Sequence, residues 1–334
     1  MEGEGEQPVT VVELFSGIGG WSHALRLAGV SARVVAAFDS NQNANSAYKE
    51  TFGLAPVATD IATLPASRLA AHAWLLSPPC QPFTLSGKHL DDEDPRSAAL
   101  LHLVRVIASG HGPRVLALEN VPLFAESRCR ERLIEALRGQ KMELAEYVVS
   151  PDQTCAVPNR RLRYYLVAAR PEFAPKGGFP AEFPSQHQWS GSLREYFRAT
   201  GGEEVDAKKV AELPPAWTEK NTGFRFHCVS LDGESTVTQC MTKAYFENKN
   251  SGGSYVRQDI DNAAACFETD VSGMHLRFFS PREAFLLMGF PPGLSMLETV
   301  GTKSLFKLLG NSLNPKVCAV LLKLLFGAPR CESN

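Results

Sequence analysis

Over residues 9–170, short apolar runs rich in β-branched residues alternate with stretches of helical periodicity. "VTVVELF" (9–15), "ARVVAAFD" (32–39), "AWLLSPP" (73–79) and "RVLALENV" (114–121) read as buried strands. "WSHALRLAG", "NQNANSAYKETF", "SAALLHLVRVIAS" (97–109) and "CRERLIEAL" (129–137) read as helices. Strands that are apolar along their whole length, rather than at every second position, are covered on both faces. Joined by helices, they form a mostly parallel sheet with helices on either side. "LAEYVVSP" and "RYYLVAAR" close the series as an expected antiparallel pair. The alternation restricts the chain to an α/β architecture, in which ligands bind outside the carboxyl ends of the strands.

After Arg170 the pattern lapses. Residues 171–275 mix Pro, Gly, Asn, Thr and charges without sustained period, and "PREAFLLMGF" (281–290) and "NPKVCAVLLKLLFG" (314–327) restore amphipathic helices. We expect a flexible tail over 1–8, an α/β domain over 9–170, a smaller region over 171–275, and a return to the first domain over 276–330. The formal net charge of −2 argues against a protein that coats nucleic acid by bulk electrostatics, so a nucleic-acid substrate would have to be gripped by a patch. "RRLR" (160–163), Lys243, Lys249, Arg257 and the lysines of 303–323 are candidates, each equally explicable as solvated surface. None of the eight cysteines forms a CxxC pair or a zinc-finger spacing, so no metal is expected. The first ten residues lack the basic and apolar regions of a secretory signal, and no apolar run reaches the roughly 18 residues that span a bilayer. The cytoplasm is the expected compartment, with nuclear presence compatible.

Seven local patterns carry chemistry. "ELFSGIGG" (13–20) places glycines where a strand turns into a helix, which lets backbone approach a ligand closely; a tight turn without a ligand fits equally well. Ser22 stands where a dinucleotide fingerprint would have its third glycine, which disfavours a nicotinamide cofactor. Asp39 ends the second strand, suited to ribose hydroxyls or to a helix cap, and Asp60 in "TDI" (59–61) suits an adenine amino group. In "SPPCQPFT" (77–84) three prolines stiffen the chain around Cys80 just past a strand end, which favours a held nucleophile over a buried structural thiol. Glu119 ends another strand after "LAL", where partial desolvation would raise its pKa and let it share a proton, unless it serves a structural salt bridge. Arg161 and Arg163 stand two apart before "YYLVAAR", which on a strand would point both to one face. Asn311 and Ser312 in "LLGNSLNP" (308–315) can bind a ligand or cap the last helix.

Taken in order, "ELFSGIGG", Asp39, "TDI", "SPPCQPFT", "ENV", "NRRLR", "LRFFSPREAFLLMGFPP" (276–292) and "LLGNSLNP" resemble the cytosine-C5 methyltransferase family over nearly the whole chain. Asn159 departs from the Gln of many DNA-directed members. "CMTKAYFENKNSGGSY" (240–255) resembles the Cys-Phe-Thr-x-x-Tyr signature of the tRNA-directed branch, with Met241 in place of Phe.

The resemblance implies a Rossmann-like, S-adenosylmethionine-dependent methyltransferase sheet over 9–170 with a small target-recognition domain over 171–275. It implies that Phe15, Gly17, Ile18, Gly19, Gly20, Asp39, Asp60, Ile61, Ser77, Pro79, Asn311 and Ser312 hold S-adenosylmethionine, leaving S-adenosylhomocysteine as product. Cys80 would add to cytosine C6, making C5 electron-rich. Glu119 would serve N3 and the exocyclic amino group, with Arg161 and Arg163 at O2 and the neighbouring phosphate. Gln81, Thr84, Cys240, Thr242, Lys243 and Tyr245 would contact the substrate. The implied reaction is methylation of cytosine 38 in the anticodon loop of tRNA-Asp, where the target base is already exposed. We expect a monomer that binds tRNA, DNA weakly, and no membrane. Methylation of duplex DNA, and a non-catalytic binding protein on the same fold, are the competing readings.

Overall fold

The computed structural model describes residues 8–83, 90–184, 187–202, 210–218, 224–248 and 252–327. Thr84 and Lys249 lie outside the described residues. The chain divides into two units, one of residues 1–149, 162–184 and 317–334, the other of 150–161 and 185–316. The strands are β1 (Val9–Leu14), β2 (Ala32–Phe38), β3 (Ala73–Leu76), β4 (Val115–Asn120), β5 (Glu143–Val149), β6 (Asn159–Arg160), β7 (Arg163–Ala169), β8 (Phe226–Val229), β9 (Thr238–Gln239), β10 (Ser254–Arg257), β11 (Cys266–Glu268) and β12 (Leu276–Arg277). The helices are α1 (Gly20–Ala28), α2 (Gln42–Phe52), α3 (Ala98–Val106), α4 (Arg128–Gly139), α5 (Pro151–Thr154), α6 (Leu193–Ala199), α7 (Pro215–Thr218), α8 (Pro281–Leu287), α9 (Met296–Thr299), α10 (Thr302–Gly310) and α11 (Pro315–Phe326).

The first unit holds a six-stranded sheet in the order β2-β1-β3-β4-β7-β5. β1 pairs in parallel with β2 and β3, and β3 with β4, whereas β7 runs antiparallel to both β4 and β5. This is the sheet that the apolar runs predict, with the expected antiparallel pair at its edge. Side chains alternate between faces. Val12, Leu14, Trp74, Leu76, Leu116 and Leu118 join one core cluster with residues of α3 and α4. Glu13 is wholly buried, and its Oε2 accepts hydrogen bonds from Ser22 Oγ of α1 (2.5 Å) and Tyr48 Oη of α2 (2.8 Å). Desolvation by burial raises the Glu13 pKa to about 7 against the hydrogen bonds that lower it.

The second unit holds a four-stranded sheet, β11-β8-β10-β12, and the short pair β6-β9. Tyr245 and Tyr255 stack at 5.6 Å between centroids, and Phe278 packs edge-on against Tyr245 at 5.4 Å. The wholly buried Glu283 binds the Arg277 guanidinium through both oxygens at 2.8 and 3.0 Å. Glu283 also completes a capping box with Ser280 at the start of α8. Among the described residues one stretch, Thr302–Phe326, is long and apolar enough to cross a bilayer. It divides into α10 and α11 around 311–314, and most of it is buried within the protein.

Candidate active site

Because β1 to β4 are mutually parallel, their carboxyl ends share one edge of the sheet, and the segments that follow them supply the first unit's candidate residues. After β1 the chain turns sharply. Phe15, Gly17 and Gly19 take positive φ of 57°, 52° and 82°. A Cβ on Gly19 would lie 2.3 Å from the Phe52 ring, whereas one on Gly17 would meet nothing within 4 Å. Glycine at 19 is therefore demanded by packing, and at 17 by a backbone conformation that leaves open space beside it. Ile18 is buried and Gly20 opens α1. Asp39, next after β2, accepts from Gly17 N at 2.8 Å through Oδ2 and from Asn41 N at 2.7 Å through Oδ1. It therefore clamps the glycine loop, while the cap of α2 is Asn41, whose side chain accepts from Asn43 N and Ala44 N. Asp60 is not at a strand end; it is exposed and caps the short 3-10 turn Ile61–Thr63 through Ala62 N, with Ile61 buried.

Past β3 the chain is fixed on both sides of Cys80. Trp21 Nε1 donates to Leu76 O (3.2 Å) and Ser77 Oγ (3.0 Å). Asn120 Nδ2 donates to Pro78 O at 3.2 Å, and Asn120 Oδ1 accepts from Val121 N at 2.8 Å. Pro79 then leads into a 3-10 turn over Gln81–Phe83, closed by Phe83 N to Cys80 O at 2.9 Å. Phe83 is buried and packs edge-on against Phe124 at 5.0 Å. Cys80 itself is partly exposed. Arg96, gripped by Asp94 through two bonds of 2.9 and 2.7 Å, interacts electrostatically with Cys80.

Parallel pairing of Leu76 with Leu118 brings the exit of β3 beside that of β4. There Glu119, 8% exposed, lies 3.4 Å from Arg163 Nε at the start of the antiparallel neighbour β7. Arg163 therefore provides the positive charge beside this nearly desolvated carboxyl.

The arginine pair does not share a strand face as the spacing suggested. The chain leaves β6 after Arg160 and enters β7 at Arg163, so residues 161 and 162 interrupt the alternation. Arg161 belongs to the second unit, is 3% exposed, and donates to Cys240 Sγ (3.2 Å), Met241 O (3.3 Å), Gly310 O (3.3 Å) and Ser312 O. It joins the 240–241 segment to the 310–312 turn. Asn311 is exposed there, and the hydrogen bond that caps α11 comes from neither Asn311 nor Ser312 but from Asn314, whose Oδ1 accepts from Lys316 N at 3.0 Å.

A Cβ on Gly310 would stand 2.1 Å from Lys243 N and 2.3 Å from Thr242 C, so only glycine admits this approach. Lys243 is exposed, and Cys240 and Thr242 are partly so. Tyr245 is a correction to the expected substrate contact: it is wholly buried, donates to Ser254 O at 2.5 Å and accepts from Phe279 N at 3.2 Å. It anchors the segment from below and has no surface to offer a substrate. Sequence reasoning missed Asn120, Gly310 and Arg96. Asn120 was visible in "ENV", but nothing local showed that its amide reaches a residue 42 positions away.

A doubly covered, mostly parallel sheet with a glycine loop after β1, a proline-held cysteine after β3 and a carboxyl at the end of β4 is the arrangement that the cytosine-C5 methyltransferase resemblance implies. The chain matches the model of the family "C-5 cytosine-specific DNA methylase" over residues 9–326, and it belongs to that family. It is 34% identical over 332 residues to the tRNA (cytosine(38)-C(5))-methyltransferase of Schizosaccharomyces pombe, covering 94% of this chain and 96% of the relative. It is 30% identical over 346 residues to the protein of the same name from Spodoptera frugiperda, covering 95% and 98%. The solved structure of the Entamoeba histolytica methyltransferase EhMeth superposes with a TM-score of 0.82 at 27% identity, covering 96% of this chain and 99% of that one.

Proposed function

We propose that this chain methylates C5 of cytosine 38 in the anticodon loop of tRNA, with S-adenosylmethionine as donor and Cys80 as nucleophile. The observation that carries the reading is the convergence of the glycine loop, Asp39, Cys80 and Glu119 at the carboxyl edge of one parallel sheet. The names of the relatives from S. pombe and S. frugiperda support tRNA as the substrate.

The residues fit the donor. The open space beside Gly17, on a loop held by Asp39, is a cradle that a side chain would fill. Phe15, Gly17–Gly20, Asp39, Asp60, Ile61, Ser77 and Pro79 of the first unit would hold it. Bound there, S-adenosylmethionine supplies an electrophilic methyl group. Cys80 attacks C6 of the extruded base, and the ring's electron density rises at C5, N3 and O2. Glu119, sharing a proton with N3, stabilises that charge, and the guanidinium of Arg163 fixes the carboxyl in place. Water takes the C5 proton as the C6–S bond breaks, and Cys80 departs as thiolate, which restores aromaticity. Arg161 acts through the 240–241 and 310–312 segments it joins. Cys240, Thr242 and Lys243 on the second unit are the proposed RNA contacts, with Gln81 beside the thiol.

The test incubates the full chain with labelled S-adenosylmethionine and either tRNA-Asp or duplex DNA, and maps the product by bisulfite sequencing. Label at cytosine 38 of tRNA, lost in Cys80→Ser while donor affinity persists, is the expected result. Transfer to duplex DNA with none to tRNA refutes the substrate, and turnover by Cys80→Ser refutes the nucleophile.

A further inference from the structure

In the second unit's four-stranded sheet two thiols oppose each other. The edge strand β11 runs antiparallel to β8 in the register Cys266↔Cys228, Phe267↔His227, Glu268↔Phe226. Directly opposed residues of an antiparallel pair point to the same face, with Cα atoms about 4.5–5.5 Å apart, inside the span of roughly 4.4–6.8 Å that a disulfide bridges. The side chains obey this register. The His227 and Phe267 rings meet edge to face at 4.7 Å, so the residues between which the cysteines alternate are themselves in cross-strand contact. Arg257, at the end of β10, interacts electrostatically with Cys228 and with Cys266, and the two thiols interact electrostatically with each other. Cys228 is wholly buried, with its thiol 3.9 Å from Phe226 O. Cys266 is partly exposed and donates to Glu268 Oε1 at 3.2 Å.

We propose that Cys228 and Cys266 are a modification site, a dithiol that closes reversibly into a cross-strand disulfide and fastens the edge strand β11 to the sheet. The oxidant is a low-molecular-weight disulfide such as glutathione disulfide. The accessible Cys266 gives up its proton, and its thiolate attacks one glutathione sulfur. The glutathione S–S bond breaks, and the departing thiolate takes up a proton. Cys228, deprotonated in turn, attacks the Cys266 sulfur of the mixed disulfide and expels the second glutathione thiolate, which is also protonated. The protein loses two electrons and two protons, and one glutathione disulfide becomes two thiols.

Burial holds the Cys228 thiol up at about 12; burial and Glu268 raise Cys266 while Arg257 opposes them. Exchange is therefore slow near neutrality and accelerates with pH, and a reducing compartment keeps the pair as thiols. β8 also pairs Cys228 with Tyr255, the residue stacked on Tyr245, so the bridge would lie one ring away from the segment that carries Cys240 and Lys243.

The test treats the full chain with glutathione disulfide at pH 8, alkylates the remaining thiols, digests without reduction and identifies cross-linked peptides by mass spectrometry. The expected product joins Cys228 to Cys266, disappears on adding dithiothreitol, and accompanies a higher melting temperature. Cys266→Ser, at the partly exposed position, should lose both the link and the melting shift, and Cys228→Ala should do the same. Recovery of both peptides fully alkylated while other cysteines oxidise overturns the proposal. So does glutathione that stays on Cys266 without passing its sulfur to Cys228.

Discussion

Glu13 makes the stability of the first unit depend on pH. Its carboxyl is wholly buried, Oε1 has no hydrogen-bond partner among the described residues, and Oε2 accepts from Ser22 and Tyr48. Burial raises its pKa from the ordinary 4.5 to about 7. Below pH 4.5 the carboxyl is protonated in both folded and unfolded chains and contributes no difference. Between 4.5 and 7 the unfolded chain ionises while the folded one does not, so folding stability falls as pH rises; above 7 the deficit is constant. At about 1.4 kcal/mol per pKa unit, the full deficit is about 3 kcal/mol, most of it developing between pH 5 and 8. Glu13→Gln presents a carbonyl to the same two hydroxyls and never ionises. The assay is denaturant unfolding of both proteins at pH 5 and pH 8. Wild-type stability should fall about 2–3 kcal/mol further than that of the Gln variant between the two. Equal falls would show that Glu13 already ionises freely in the folded chain and would refute the reasoning.

Asn120→Ala removes the amide that holds Pro78 O, and with it one restraint on the Cys80 turn. Steady-state methylation should show kcat down by about 10- to 100-fold with KM for tRNA little changed, and an unchanged kcat would remove Asn120 from the positioning of the thiol. Gly310→Ala forces a methyl against the Lys243 backbone, so the melting temperature should fall by the equivalent of about 1–3 kcal/mol and gel-shift affinity for tRNA should weaken with it. Glu283→Ala strands the buried Arg277 charge, and the stability measured by denaturant titration should drop by about 3–5 kcal/mol.

The sheet of the first unit was legible because its central strands are apolar at most positions on both faces, a pattern that with helical neighbours marks a doubly covered parallel sheet. β5 and β7 were legible as an antiparallel pair. By contrast α10, which buries Leu305, Phe306, Leu308 and Leu309, was not read from the sequence, where only 281–290 and 314–327 stood out as helices in this region. Cys80 and Glu119 could be found because each lies at or just past the end of a strand that the pattern fixes. Arg161 and Arg163 were misread because spacing gives a common face only while the strand continues, and here β6 ends before Arg161 and β7 begins only at Arg163. Tyr245 shows the related limit of a motif: the match identifies a residue type, whereas burial depends on Tyr255 and on Phe278 and Phe306, the last two far off in sequence.

The way the chain threads its two units bears on how it is made. It leaves the first unit after Val149, returns for 162–184, leaves again, and comes back only at Val317. Val317, Cys318, Leu321 and Leu322 of α11 are wholly buried. During synthesis from the amino end, the first unit therefore waits for its final helix until almost every other residue has been translated. At about 5–20 residues per second, the 132 residues of 185–316 keep that gap open for roughly 7–26 s, with the apolar surface that α11 will cover exposed to solvent or to a chaperone.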